Sequence, residues 1–313
     1  MFPVRCWPGP LCGLLLVLLN AAPASAQIDR LPAEVGARIA AMGPSFDGAV
    51  LAATRALFAP IPQAATDGLS VTRDQSYGPD ARHLLDVYAP PGSAPPRPVL
   101  VFVHGGGFVR GEREANIPAY AARNGMVGVA VTYRLAPQHP WPAGARDVGA
   151  AIAWVRANAA RFGGDPGRIV LMGHSAGATH AASFAFDPAL HPAEGPGIAG
   201  LILGSGFLKM TAEDKGPGNI AYFGPDPALY AARSPMTHMG RSRLPMLLFS
   251  AEYDPPFLGA PTVELALGAC WRDGKCPRIV QMRGHNHVSE IFAVGTADDE
   301  LGQEILRFAR ELR

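Results

Sequence analysis

The sequence predicts an α/β fold: a mostly parallel central sheet flanked by helices. Three observations lead there. Short apolar runs recur at 98–103, 126–133, 169–172, 198–203, 244–249 and 279–282. Runs this short and this continuous suit strands buried on both faces. Longer amphipathic stretches lie among them, and strands alternating with helices imply parallel pairing with crossover connections. Finally, 48% of the 313 residues are hydrophobic and 17% charged, which supplies a sizeable core and argues against wholesale disorder.

The elements follow in order. Residues 1–26 read as a secretory signal. Arg5 gives a positive start, 11–19 is an apolar run, and Ala24-Ser25-Ala26 offers a small-x-small cleavage pattern. The run is shorter than the roughly 20 residues needed to span a bilayer, so Gln27 is expected to begin an exported mature chain, periplasmic or secreted. Residues 27–65 form an N-terminal helical extension, with Leu31, Val35 and Ile39 on one helical stripe and Val50, Leu51, Leu57 and Phe58 on another. So short a piece could not bury a core alone, so it is expected to pack on the 27–313 domain of which it is part. Strands at 69–72 and 83–88 flank a turn at 78–80. A long helix spans 143–162, with Val148, Ile152, Trp154, Val155 and Ala159 on its apolar face, and another covers 175–186. The stretch 206–240, rich in Gly and Pro, is longer than an ordinary connection and reads as a small cap. The chain closes on a helix striped by Leu301, Ile305, Phe308 and Leu312.

Formal net charge is +1, and removal of 1–26 would take away one cation and no acid. No basic stripe appears, so nucleic-acid binding has little electrostatic support. Cleavage would also leave two of the four cysteines, Cys270 and Cys276. In an oxidising compartment these are expected to pair across the turn at Asp273-Gly274. Two thiols alone make a poor metal site.

Gly173-His174-Ser175-Ala176-Gly177 matches G-x-S-x-G, with a strand before it and a helix after it. That setting is the one a nucleophile elbow requires, because the sharp turn lifts a serine hydroxyl clear of the sheet edge. The flanking glycines let strand and helix approach without an intervening Cβ. His104-Gly105-Gly106-Gly107-Phe108 ends an earlier strand, and its glycines free backbone N–H groups to face a developing oxyanion. Gly106, Gly107 and Ala176 are the expected donors. A serine nucleophile needs a base and an orienting acid. Asp254, at the tip of the loop after 244–249, is the preferred acid, with Glu252 as competitor and Asp226 in the cap less suited. His287, after the last strand, is the preferred base, with His285 as competitor or structural brace. Phe108, Trp141, Phe207, Tyr222 and Phe257 are candidates for an apolar substrate pocket.

At these motifs the chain resembles carboxylesterases of the α/β-hydrolase fold, in the hormone-sensitive-lipase-like branch, over roughly 68–313. Residues 133–143, Tyr-Arg-Leu-Ala-Pro-Gln-His-Pro-Trp-Pro-Ala, carry a specific part of that resemblance. Two departures stand out. The branch usually has Asp at the position of His174, and Gly-Phe after the base. The segment 284–289 is closer to small esterases related to feruloyl esterases and aryl formamidases. The resemblance and the motifs together imply a serine hydrolase of short- to medium-chain carboxylic esters, acting on small molecules without metal or organic cofactor. Formamide or amide hydrolysis by the same triad is the alternative within the enzyme class. A hydrolase fold that only binds is the alternative outside it.

Overall fold

The computed structural model describes residues 31–62, 66–92, 95–214 and 216–312. The signal read over 1–26 lies outside the described residues.

Two N-terminal helices, α1 (Ala33–Met42) and α2 (Gly48–Phe58), precede the sheet. The Asp47 side chain accepts hydrogen bonds from the Ala49 and Val50 amides and so caps α2. The strands are β1 (Ser70–Ser76), β2 (Leu84–Ala89), β3 (Arg97–Val103), β4 (Val127–Val131), β5 (Gly164–His174), β6 (Gly200–Gly204), β7 (Met246–Tyr253) and β8 (Arg278–Asn286). They form one sheet in the order β1-β2-β4-β3-β5-β6-β7-β8. β2 runs antiparallel to both β1 and β4, and every pairing from β4 to β8 is parallel. The central parallel strands β4, β6 and β7 are continuous apolar runs, as burial on both faces demands, while β8 at the sheet edge alternates buried and exposed residues.

Helices α3 (Asn116–Arg123), α4 (Ala143–Asn158) and α5 (Ala176–Phe186) cover the sheet from both sides. Short helices α6 (Pro217–Phe223), α7 (Tyr230–Arg233) and α8 (Pro235–His238) make up the segment between β6 and β7. The long α9 (Pro256–Asp273), the short α10 (Ser289–Phe292) and α11 (Glu300–Glu311) complete the chain. One core packs Val148, Ile152 and Val155 of α4, the alanines of α5 and Leu265 of α9 against one face of the sheet. The other packs Ile117 of α3 and Leu301, Ile305 and Phe308 of α11 against the opposite face. Each such aliphatic side chain contributes about 1.5–3 kcal/mol by leaving water.

The structure departs from the sequence reading in particular places. The helix expected over 143–162 ends as α-helix at Asn158 and tightens into a 3-10 turn to Phe162, where Gly163 adopts a left-handed φ of 75°. The pattern gave no signal for α3, whose residues are nearly all buried rather than striped. Nor did it mark α9, which carries Pro261 in its interior. Cys270 and Cys276 are joined by a disulfide that ties the end of α9 to the segment entering β8. Among the described residues no helix is long and apolar enough to cross a membrane.

Candidate active site

Ser175 sits between β5 and α5 with φ 57° and ψ −126°, a conformation unusual for a residue with a Cβ. The fold holds it there. Its amide donates to the Gly204 carbonyl at 2.9 Å, and its own carbonyl accepts from Thr179. The flanking glycines are sterically required. A Cβ at Gly173 would lie 2.4 Å from the Gly177 carbonyl, and one at Gly177 would lie 2.1 Å from the Val103 carbonyl. The residues of α5 are mostly small and all buried, so this helix lies tight on the sheet with its N-terminus, at Ala176, beside the serine. The positive end of the helix dipole therefore points at the serine.

The loop after β3 approaches from the neighbouring strand. Gly106 has φ 129° and Gly107 φ 59°, and Phe108 also has a positive φ of 70°. A Cβ at Gly106 would fall 2.0 Å from the Arg110 carbonyl, and one at Gly105 would lie 3.0 Å from the Ser175 Cβ. Glycine at these positions is what allows the loop to lie against the serine. Two contacts brace it. The Tyr133 hydroxyl donates to the His104 carbonyl at 3.0 Å, and the Arg82 guanidinium donates to the Gly111 and Tyr133 carbonyls. Gly218, at the start of α6, leaves no room for a Cβ over the Gly107 carbonyl, so the segment between β6 and β7 touches the glycine loop there.

Both candidate acids and both candidate bases can now be placed. Asp254 is buried after β7. Its Oδ2 accepts from the Ser205 hydroxyl at 2.5 Å and the Ala251 amide at 2.8 Å, and its Oδ1 lies 2.9 Å from His287 Nδ1. The carboxylate is thus matched to donors on both oxygens and fixes the His287 tautomer with its proton on Nδ1. His287 Nε2 is buried and has no hydrogen-bond partner. Its ring lies 4.6 Å from that of His174, the residue before Ser175. His285 instead has both ring nitrogens engaged, Nδ1 with the Ser289 hydroxyl and Nε2 with Asp298, each at 3.0 Å. Glu252 accepts from the Gly284 amide at the surface, and Asp226 caps a 3-10 turn in the cap segment. Asp254 and His287 thus bond to each other, and the His287 ring faces that of His174, the residue before Ser175, while Glu252, Asp226 and His285 have other partners.

The five aromatic candidates divide. Phe108, Phe207 and Tyr222 are buried, with Phe108 stacked on Tyr222 at 4.6 Å and Phe207 5.5 Å from Phe108. Trp141 packs against the same cluster, which includes Ala176. Phe257 is 43% exposed and faces Phe207 at 5.8 Å. The buried trio is packed as a cluster, and Phe257 is its exposed neighbour.

Several residues at the site escaped the sequence reading. Phe46, between α1 and α2, meets the His287 ring edge-on at 4.8 Å and Phe257 at 6.2 Å. Asn286 donates to the Thr54 hydroxyl of α2 at 2.8 Å, while its Oδ1 accepts from the Val288 and Ser289 amides. The N-terminal helices therefore help hold the loop that carries His287. Only the apolar stripes of this region were visible in the sequence, since the partners lie more than two hundred residues away. His174 Nε2 lies 3.0 Å from Glu290 Oε1. Burial holds the His174 ring well below the usual histidine range, with the nearby His287 adding to the effect. Burial pushes the Glu290 carboxyl well above the usual range, reinforced by the Asp254 charge. His174, His287 and Glu290 are the one group among the described residues whose ligand atoms all lie within 4.8 Å of one another. Two histidines and a glutamate have the composition of a zinc set. Here, however, His174 and Glu290 already bond to each other and His287 Nδ1 faces Asp254.

Comparison with known proteins places these features. The BD-FAE family profile matches residues 85–190, which span β2, the glycine loop and the serine elbow. The carboxylesterase NlhH of Mycobacterium tuberculosis is 48% identical over 94 residues, 29% of this chain and 30% of that protein. The chain thus spans about a third of the length of the curated relatives it matches. A bacterial heroin esterase of known structure is 27% identical, with a TM-score of 0.66, covering 91% of this chain and 99% of that one. Esterase B from Lactobacillus rhamnosis shares the fold at 19% identity, with a TM-score of 0.69 over 89% of this chain and 95% of that one. The fold is that of the α/β-hydrolases, and the likenesses are to esterases.

Proposed function

We propose that this chain, an α/β-hydrolase of the hormone-sensitive-lipase-like kind, is a carboxylesterase that cleaves small esters of short to medium acyl chain through an acyl-enzyme. The observation that carries the reading is the His287 ring. One nitrogen is locked to Asp254 and the other is buried and unpartnered, and the ring stands 4.6 Å from that of His174, the residue before a serine strained into an elbow.

In the proposed cycle the Ser175 hydroxyl attacks the acyl carbon while His287 Nε2 takes its proton. The imidazolium that results is oriented and stabilised by Asp254. The tetrahedral oxyanion is met by the amides of Gly106, Gly107 and Ala176, which need no reorganisation because glycine sterics and the start of α5 fix them. His287 then protonates the leaving alcohol, and water activated by the same nitrogen releases the acid. The packing of Phe108, Phe207 and Tyr222 on one another and the closeness of α6 to the glycine loop support a short acyl site over a long groove.

Ser175→Ala should leave the fold intact and lower turnover by about three or more orders of magnitude. Loss of fluorophosphonate labelling in the same variant checks the nucleophile, and persistence of either signal refutes it. A series from p-nitrophenyl acetate to p-nitrophenyl palmitate, with N-formylkynurenine alongside, reads the substrate class. Preference for palmitate removes the chain-length reading, and preference for the formamide replaces ester by amide chemistry. Export is also proposed. The Cys270–Cys276 disulfide supports an oxidising compartment, and N-terminal sequencing of the protein from a secretory host, beginning at Gln27, tests it.

A further inference from the structure

Behind the proposed triad lies a second set of buried groups to which the reaction gives no role. Glu290 is fully buried in α10, three residues after His287. It points at His174 on the strand that ends at the elbow. Ser205, at the end of β6, is buried with a positive φ of 47° and turns its hydroxyl to Asp254. The His174 ring is also within hydrogen-bond reach of the His287 backbone.

An ion pair between His174 and Glu290 fits this setting poorly. A carboxylate would put a second negative charge beside Asp254 at a buried position. Glu290 Oε2 has no hydrogen-bond partner; the Ser205 hydroxyl lies within reach of the carboxyl but gives its single proton to Asp254 at 2.5 Å. A buried anionic oxygen left bare is costly, whereas the carbonyl oxygen of a neutral acid tolerates the loss of a partner better. An imidazolium at His174 would stand 4.6 Å from the His287 ring, opposing the positive charge that the base must acquire. Each difficulty vanishes if the proton sits on the carboxyl.

We propose that Glu290 is held as a neutral carboxylic acid donating its proton to His174 Nε2, and that this buried pair is a positioning device clamping the backbone at His287 against the strand that ends at Ser175. With Nε2 accepting, the His174 ring proton lies on Nδ1 and is free to serve the loop backbone. The pair acts through His287 and touches no substrate, so it contributes geometry and not charge. The same two residues explain a departure noted in the sequence. Where the branch usually has Asp before the serine, this chain has His174, and the position across from it is filled by an acid able to donate.

The kinetic part of this inference rests on the serine-esterase reading, and the protonation state does not. Infrared difference spectra of the full chain against Glu290→Gln should show a protonated-carboxyl C=O band in the wild type that the variant lacks. No such difference overturns the proposal. Gln keeps a donor toward His174 Nε2 and a carbonyl where Oε2 lies, so Glu290→Gln should retain kcat on p-nitrophenyl butyrate within about 3-fold. Glu290→Ala loosens the clamp and should lower kcat by roughly 10- to 100-fold with little change in KM. A Gln variant as impaired as the Ala variant, or one that fails to fold, means an ionised carboxylate and overturns the proposal. If the Ala variant fails to fold, the band and the Gln variant still decide. Wild-type protein without ester turnover or Ser175 labelling would overturn the proposed function instead, and the infrared band would still report on the pair.

Discussion

The glycine loop with its serine elbow and the loop that carries His287 meet at one place but are built differently. The first is made of backbone. Its positions are dictated by where a Cβ cannot go, as at Gly106, Gly173 and Gly177. The second is made of side chains. His287, Asp254, Asn286, Thr54, Ser289, His285 and Asp298 bond across the molecule, and none is fixed by local sterics. A backbone device of this kind is rigid and, at positions such as Gly106, Gly173 and Gly177, intolerant of an added atom. A side-chain network can lose one member and keep a fraction of its precision.

Within the network, the two histidines separate chemistry from support most sharply. His287→Ala should lower kcat/KM by roughly four orders of magnitude and, by leaving Asp254 Oδ1 without its partner, cost about 1–3 kcal/mol in stability. His285→Ala removes bonds to Ser289 and Asp298 and should destabilise the fold by about 1–3 kcal/mol without that loss of turnover. Kinetics and thermal unfolding of both variants check the contrast, and a reversed result would exchange their roles. On the backbone side, Gly106→Ala forces a methyl into the Arg110 carbonyl. Turnover should fall by roughly two to three orders of magnitude, as for loss of an oxyanion donor, while an added Cβ at Gly107, which meets nothing within 4 Å, pays mainly for its left-handed φ and should cost less.

This difference in construction also decides what could be read from the sequence. Ser175, Gly106, Gly107 and Ala176 were legible because their constraints act between near neighbours on a strand–turn–helix unit. The parallel strands were legible from continuous apolar runs. Asp254 and His287 could be ranked but not separated from Glu252 and His285 by spacing alone, since the choice depends on which side chain reaches which oxygen in space. Phe46 and Thr54 were illegible, because an N-terminal helix shows a sequence only its own stripe and never the loop it will brace. α3 and α9 were missed because one is buried all round and the other holds an interior proline.

The backbone region has its own buried histidines, and they predict an acid response. Burial pushes His104 down to about 4, partly offset by its contact with the Gly105 carbonyl. Burial pushes His180 down to about 3, with His104 adding to the effect. Both are neutral in the fold and protonate at ordinary pH when it opens. Their contribution to stability is therefore present above about pH 6.5 and is lost as pH falls through the range down to about 4. Each would take on the order of 3 kcal/mol from the fold by about pH 4. The unfolding temperature should drop along that range, and His180→Gln should flatten the slope. An unchanged slope would place the acid response in other groups.

The smallest effect expected tests whether the N-terminal helices belong to the site at all. Thr54→Val keeps the shape of α2 and removes the hydroxyl that Asn286 reaches at 2.8 Å. Asn286 keeps its bonds to the Val288 and Ser289 amides, so the loop should loosen and not collapse. A displacement of His287 by a fraction of an ångström should lower kcat by about 3- to 10-fold, against about 1 kcal/mol in stability for one buried hydrogen bond. The decisive comparison is with Thr54→Ser, which restores the hydroxyl. Recovery of kcat by serine at equal stability ties α2 to the geometry of the base, and equal loss in both variants reduces it to packing.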